Sequence, residues 1–162
     1  MIAIREYVPD DRSACLAIFD SNTPQFFATC ERTEFASFLD EIPGRYFVSE
    51  DDGTVIACGG FAVGSDRAVA VLCWGMVHRN RHMQGAGKLL LTYRLSEIRR
   101  DPMIRRVTIN TSQHTSVFFE KFGFTVERVI RGGYALGLDR YEMNLIVTPD
   151  SQKSNSGAII TA

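Results

Sequence analysis

The stretch that most constrains this 162-residue chain runs from Arg67 to about Arg100. A nearly all-apolar run ends at Val77, a basic loop His78-Arg79-Asn80-Arg81-His82 follows, and Gly85-Ala86-Gly87 opens the strongest helical pattern in the sequence. The apolar run reads as a strand at the centre of a sheet covered on both faces. Its Gly75 is a candidate bulge or point of close approach. In the helix, Ala86, Leu89, Leu90, Tyr93 and Glu97 share one side, while Leu91, Leu95 and Ile98 widen the apolar surface. Arg99-Arg100 suit its negative end, and Pro102 prevents continuation. The N–H groups of a first helical turn have no partner within the helix, and its positive end favours an anion. Glycines there allow close backbone approach, and Arg79 and Arg81 add positive charge. The expected ligand group is a diphosphate. Neither common phosphate fingerprint is present: no Lys-Ser or Lys-Thr pair follows the glycines, and Leu90 stands where a dinucleotide-binding turn has its third glycine.

The flanking patterns alternate between the two periods. Ile2–Val8 reads as a strand stopped by Pro9; Asp10 or Asp11 caps a helix through Asp20; Thr33–Leu39 is a second helical stretch. Tyr46–Val48 and Thr54–Val63 flank the hairpin signal Asp51-Asp52-Gly53. Arg106–Asn110 is a strand, and Ser116–Phe122 is a short helix closed by Gly123. The strands Phe124–Ile130 and Leu138–Val147 are joined through Arg131-Gly132-Gly133-Tyr134. This order predicts one α/β domain over residues 1–149 with a mixed, mostly antiparallel sheet of about seven strands and flanking helices. Parallel pairing is expected around the two later helices. The Ser-rich segment 150–162 reads as a loose tail.

Eighteen basic residues face nineteen acidic ones, for a net charge of −1, which argues against a nucleic-acid-coating protein. No apolar run reaches membrane-spanning length, and the N-terminus lacks a signal-peptide pattern, so a cytoplasmic protein is expected. The four cysteines show no C-x-x-C spacing and read as reduced thiols, all but Cys30 in apolar runs. His78, His82 and His114 have no partner at a usual ligand spacing, so no metal is expected.

The segment Val77-His78-Arg79-Asn80-Arg81-His82-Met83-Gln84-Gly85-Ala86-Gly87-Lys88-Leu89-Leu90 resembles the signature loop of the GNAT superfamily of N-acetyltransferases. Phe119-Glu120-Lys121-Phe122-Gly123-Phe124 is similar to the family's second block, and the likeness covers about residues 2–147. The resemblance implies a splayed central sheet and acetyl-CoA as co-substrate. Its diphosphate would rest on the amides of Met83, Gln84, Gly85, Ala86, Gly87 and Lys88, with His82 at the loop's first side-chain contact. Its pantetheine would run along Met76 and Val77 within reach of Ser112, which stands where many relatives carry asparagine. The Val77 N–H would serve as oxyanion donor. Dimers are common among relatives, and nothing in the sequence fixes one.

The family's usual tyrosine, which protonates the leaving thiolate, is replaced by Phe119, expected to be a core aromatic. The remaining candidates for acid–base work are His114, Tyr134 and Tyr141. The carboxylates Asp20, Glu31, Glu34 and Glu41 and the phenylalanines at 26, 27, 35 and 38 are expected near the amine acceptor. Two readings follow. One is direct acetyl transfer to a primary amine of a small molecule or protein. The other is an acyl-CoA sensor without efficient turnover, for which Phe119 speaks.

Overall fold

The computed structural model describes residues 1–148, so the expected tail 150–162 lies outside the described residues. Seven strands form one sheet: β1 (Ile2–Glu6), β2 (Arg45–Asp51), β3 (Thr54–Val63), β4 (Val69–Val77), β5 (Arg106–Thr111), β6 (Thr125–Ala135) and β7 (Leu138–Ile146). Their order across the sheet is β1-β2-β3-β4-β5-β7-β6. Every pairing is antiparallel except β4 with β5. The expected second parallel pairing does not form, because β7 inserts between β5 and β6.

Among the described residues four α-helices flank the sheet: α1 (Arg12–Ser21), α2 (Glu31–Asp40), α3 (Ala86–Arg99) and the short α4 (Ser116–Glu120). On one face, α1 and α2 bury Cys15, Ile18, Phe19, Phe35 and Leu39 against Tyr46, Val48, Cys58 and Met76. On the other, α3 buries Leu90, Leu91, Leu95 and Ile98 with Phe47, Ala57, Leu72, Val107, Phe119 and Met143. Among the described residues no helix is long and apolar enough to cross a membrane. Cys15 and Cys58 are buried free thiols, Cys73 is half-buried and Cys30 is exposed.

Four local expectations change. The buried stripe of α3 runs through Ala86, Leu90, Arg94 and Ile98 with Leu91 and Leu95, which leaves Leu89 outside at 48% exposure. Strand β4 is not covered on both faces: α1 and α2 reach only its C-terminal half, so Val71 remains 42% exposed. The hairpin of β6 and β7 continues past Gly132-Gly133 to the pair Ala135–Leu138, with Gly137 at φ 77° in the turn, so Arg131–Tyr134 belongs to a strand. Asp11 does not cap α1 through its side chain. Its carboxylate takes two bonds from the Arg5 guanidinium, at 2.7 and 2.8 Å, and one from the Val8 N–H at 2.9 Å.

Candidate active site

The site begins where β4 leaves its neighbour. Pairing with β5 is confined to Val69, Ala70 and Val71, opposite Arg106, Val107 and Thr108. Beyond that the two strands splay and open a cleft. The cause lies at Trp74-Gly75, the bulge that the glycine forecast. The register with β3 shifts between Cys58 and Gly60, and Trp74 adopts φ 42°. Side chains brace the bulge from both faces of the sheet. The Tyr46 hydroxyl donates to the Trp74 carbonyl at 2.7 Å, and Arg94 of α3 donates to the carbonyls of Gly60 and Cys73.

Past the bulge, Met76 pairs with Cys58, and the His78 N–H bonds the Ile56 carbonyl at 2.8 Å. Alternation therefore turns the backbone groups of Val77 away from β3. Its carbonyl accepts from Asn22 Nδ2 and lies the same 2.9 Å from His82 Nε2. Its N–H makes no backbone bond outside the strand ladder among the described residues. Asn22, buried at the end of α1, also holds the Ile18 carbonyl at 2.8 Å. Asn22 lies just past the predicted end of this helix at Asp20, and no local pattern points to this role.

The turn into α3 has the form the sequence called for. Gly85 is the residue before the helix and lies at φ 90°, where no side chain is crowded but a Cβ is strained. Met83 also has positive φ and is fully exposed. Among the described residues, no backbone carbonyl accepts from any N–H of Met83 through Lys88, and no side chain caps the helix. Six consecutive amides thus lack internal partners, at the positive end of a 14-residue helix. Gly87 keeps the helix close to Val77 and Phe118, whose side chains lie 3.6 Å from where its Cβ would be. The loop's arginines are engaged elsewhere: Arg81 pairs with Asp51, and Arg79 bonds Gln25 at 2.5 Å. Among the described residues Lys88 makes no ion pair, and it is exposed.

His82 turns inward, its ring edge-on to Phe26 at 5.1 Å. Ser112 is buried and its hydroxyl accepts from the His114 N–H at 3.3 Å, which shapes the approach to α4. Phe119 is a core residue, edge-on to Phe118 and Phe124 at 5.2 and 5.6 Å.

Beside the cleft, the loop from Pro24 to Cys30 and the hairpin tip Ala135–Leu138 line an open cavity of about 390 Å³, with His114 in its wall. Phe26, from the first of these loops, stands edge-on to His114 at 5.8 Å as well as to His82. Tyr134 lies near Glu31; burial and that carboxylate push its phenol up to about 12. Burial also raises the Glu31 carboxyl, although the Ala28 N–H donates to it at 2.8 Å. Tyr141 is not brought to this group. It pairs with Thr111 and packs into the core cluster of α3 and α4. Asp20 is paired with Arg32, and Phe35 and Phe38 stack around Trp74 and Tyr46 inside the α1–α2 core.

A sheet splayed at a braced bulge, with a row of free amides at its open end, defines the acyl-CoA-binding class of acetyltransferase folds. A family model for the acetyltransferase (GNAT) domain matches residues 43–126, and the chain belongs to the GNAT family. It is an N-acetyltransferase that uses acetyl-CoA. No curated protein sequence matches it significantly. Its fold is similar to that of the ribosomal-protein-S18-alanine N-acetyltransferase of Escherichia coli, at TM-score 0.77 and 18% identity over 99% of this chain and 100% of that one. Ard1 from Thermoplasma volcanium superposes at TM-score 0.76 and 21% identity, over 90% of this chain and 97% of that one. An aminoglycoside 6'-N-acetyltransferase complexed with coenzyme A gives 0.74 and 13%, over 91% and 98%.

Proposed function

We propose that this protein transfers the acetyl group of acetyl-CoA to a primary amine of a small molecule or protein, by direct attack with both substrates bound. The observation that carries the reading is the run of unpartnered amides from Met83 to Lys88 behind Gly85. These amides hold the diphosphate, and the exposed Lys88 contributes charge. His82 supports the loop by fixing the Val77 carbonyl rather than by touching the anion, and Ser112 supports the turn beside it. Pantetheine lies along the open edge of β4, where Gly75 and Val77 offer backbone groups and Met76 contributes its place in the ladder. The Val77 N–H is the oxyanion donor, a position worth most in a site shielded from water.

The amine enters from the cavity of Pro24–Cys30 and Ala135–Leu138. His114 in its wall takes the ammonium proton, and Glu31 attracts the cation. With its pKa near 12, Tyr134 keeps its proton at neutral pH and acts as a hydrogen-bond donor, not a base. The second reading is an acyl-CoA sensor, favoured by Phe119, whose buried ring has no proton to give. Calorimetry and thiol release decide. Gly85→Ala weakens acetyl-CoA binding modestly through backbone strain, whereas Gly85→Glu abolishes it by setting a carboxylate against the diphosphate. Equal affinity in wild type and Gly85→Glu removes the amide nest as the binding site. Binding without amine-dependent release of CoA thiol, over a panel of amines, selects the sensor.

A further inference from the structure

Arg94 is the only buried cation among the described residues, with 3% of its surface exposed. Its Nε and Nη2 both donate to the Gly60 carbonyl, at 3.1 and 2.7 Å, and Nη2 reaches the Cys73 carbonyl at 3.4 Å. Carbonyls accept these bonds without cancelling the charge. The titratable groups that face it are the Tyr46 phenol from β2, the Cys58 thiol from β3 and the Cys73 thiol from β4. Among the described residues no carboxylate is bonded to it. Burial draws its pKa down to about 10, which leaves it charged at neutral pH.

The third nitrogen, Nη1, has no acceptor among the described residues. It stands 3.1 Å from where a Cβ on Gly59 would lie and 2.6 Å from that on Gly75. The guanidinium therefore fills the space that two side chains would take. Gly75 above it is exposed, at the edge of β4 that has parted from β5. A fixed positive charge thus lies directly beneath the open edge of the cleft.

We propose that Arg94 stabilises the thiolate that leaves when the acetyl group is transferred. The inference rests on the acetyl-transfer reading above. In that step the neutral amine, its ammonium proton already taken by His114, forms the nitrogen–carbon bond, the carbon–sulfur bond breaks, the electron pair departs on sulfur, and the second amine proton passes to water. Phe119 cannot supply a proton to the sulfur, so the negative charge has to be met in another way. A preorganised cation in a poorly hydrated site does so without reorganisation, and a cation beside a thiol favours its ionised form. Arg94 is also a positioning residue, because it holds the bulge. That role alone would leave the ionisation of the sulfur unchanged.

The test is the pH titration of thiolate absorbance for coenzyme A bound to the protein, with the desulfo analogue as blank. In the wild type the bound thiol is expected to ionise at least about tenfold more readily than free CoA, a lowering of about one pKa unit. In Arg94→Gln, folded by circular dichroism, the value returns toward that of free CoA. Gly75→Ala is the second variant: its Cβ displaces Nη1 while leaving Arg94 in place, and it predicts the same direction if Arg94→Gln does not fold. A bound thiol that titrates like free CoA in the wild type overturns the inference, as does a lowered value that persists in a folded variant. Failure of CoA to bind the wild type overturns the reading of the cleft itself, and this inference with it.

Discussion

Phe119 shows what a single ring does when the family's phenol is absent. It lies in the core that joins α3, α4 and the C-terminal strands, and its edge-on contacts to Phe118 and Phe124 fix the helix that follows the cleft. Phe119→Ala is expected to cost about 3–5 kcal/mol through lost burial and the cavity left behind. Denaturant unfolding checks this, and an unchanged midpoint would show that the ring is not structural. The sequence made Phe119 readable, because Glu-Lys-Phe-Gly-Phe follows it in the order of a helix and its glycine stop. It did not make Arg94 readable. An arginine in a helix ordinarily faces water, and only the four-residue spacing of Ala86, Leu90, Arg94 and Ile98 places it on the buried stripe.

Elements whose pattern is local were legible from the sequence, and those set by a distant partner were not. Strand β3 occupies Thr54–Val63 as its hairpin signal and apolar run predict, and α3 starts after Gly85 for backbone reasons that no neighbour alters. Strand β6 runs further than its glycines suggest because β7 supplies the ladder partners. The junction of β1 and α1 is another such case: Asp11 reads as a cap but serves as the hub of a cluster with Arg5, which also bonds Glu50 at 2.6 Å. Hydrogen bonds from Arg5 hold the Asp11 carboxyl below its usual value near 3.8, against the opposing effect of burial. Since the folded pKa is the lower one, the stabilisation is fully present above the unfolded value and is lost as pH falls through the folded value. Melting temperature should therefore drop below about pH 4, and Asp11→Asn should be less stable at neutral pH with a flatter acid limb. Parallel pH curves for the two proteins would remove Asp11 from the acid transition.

At the scale of the whole molecule, both core clusters are built from residues up to Val147, and the last strand ends at Ile146. Among the described residues one sheet carries both the cleft and the cavity beside it. Ligand binding at the α3 amides should consequently stabilise the entire domain rather than one loop. At a CoA concentration of 100 times its dissociation constant the gain is about 2.7 kcal/mol, which for a domain of this size raises the melting temperature by roughly 5–11 °C. The rise should follow the logarithm of CoA concentration, vanish in Gly85→Glu, and be the same size in a chain ending at Pro149, because the nest and its supports at Asn22, Val77 and His82 all precede that point. A smaller shift in the shortened chain would mean that residues 150–162 contribute to the bound state, and the domain boundary would have to move to include them.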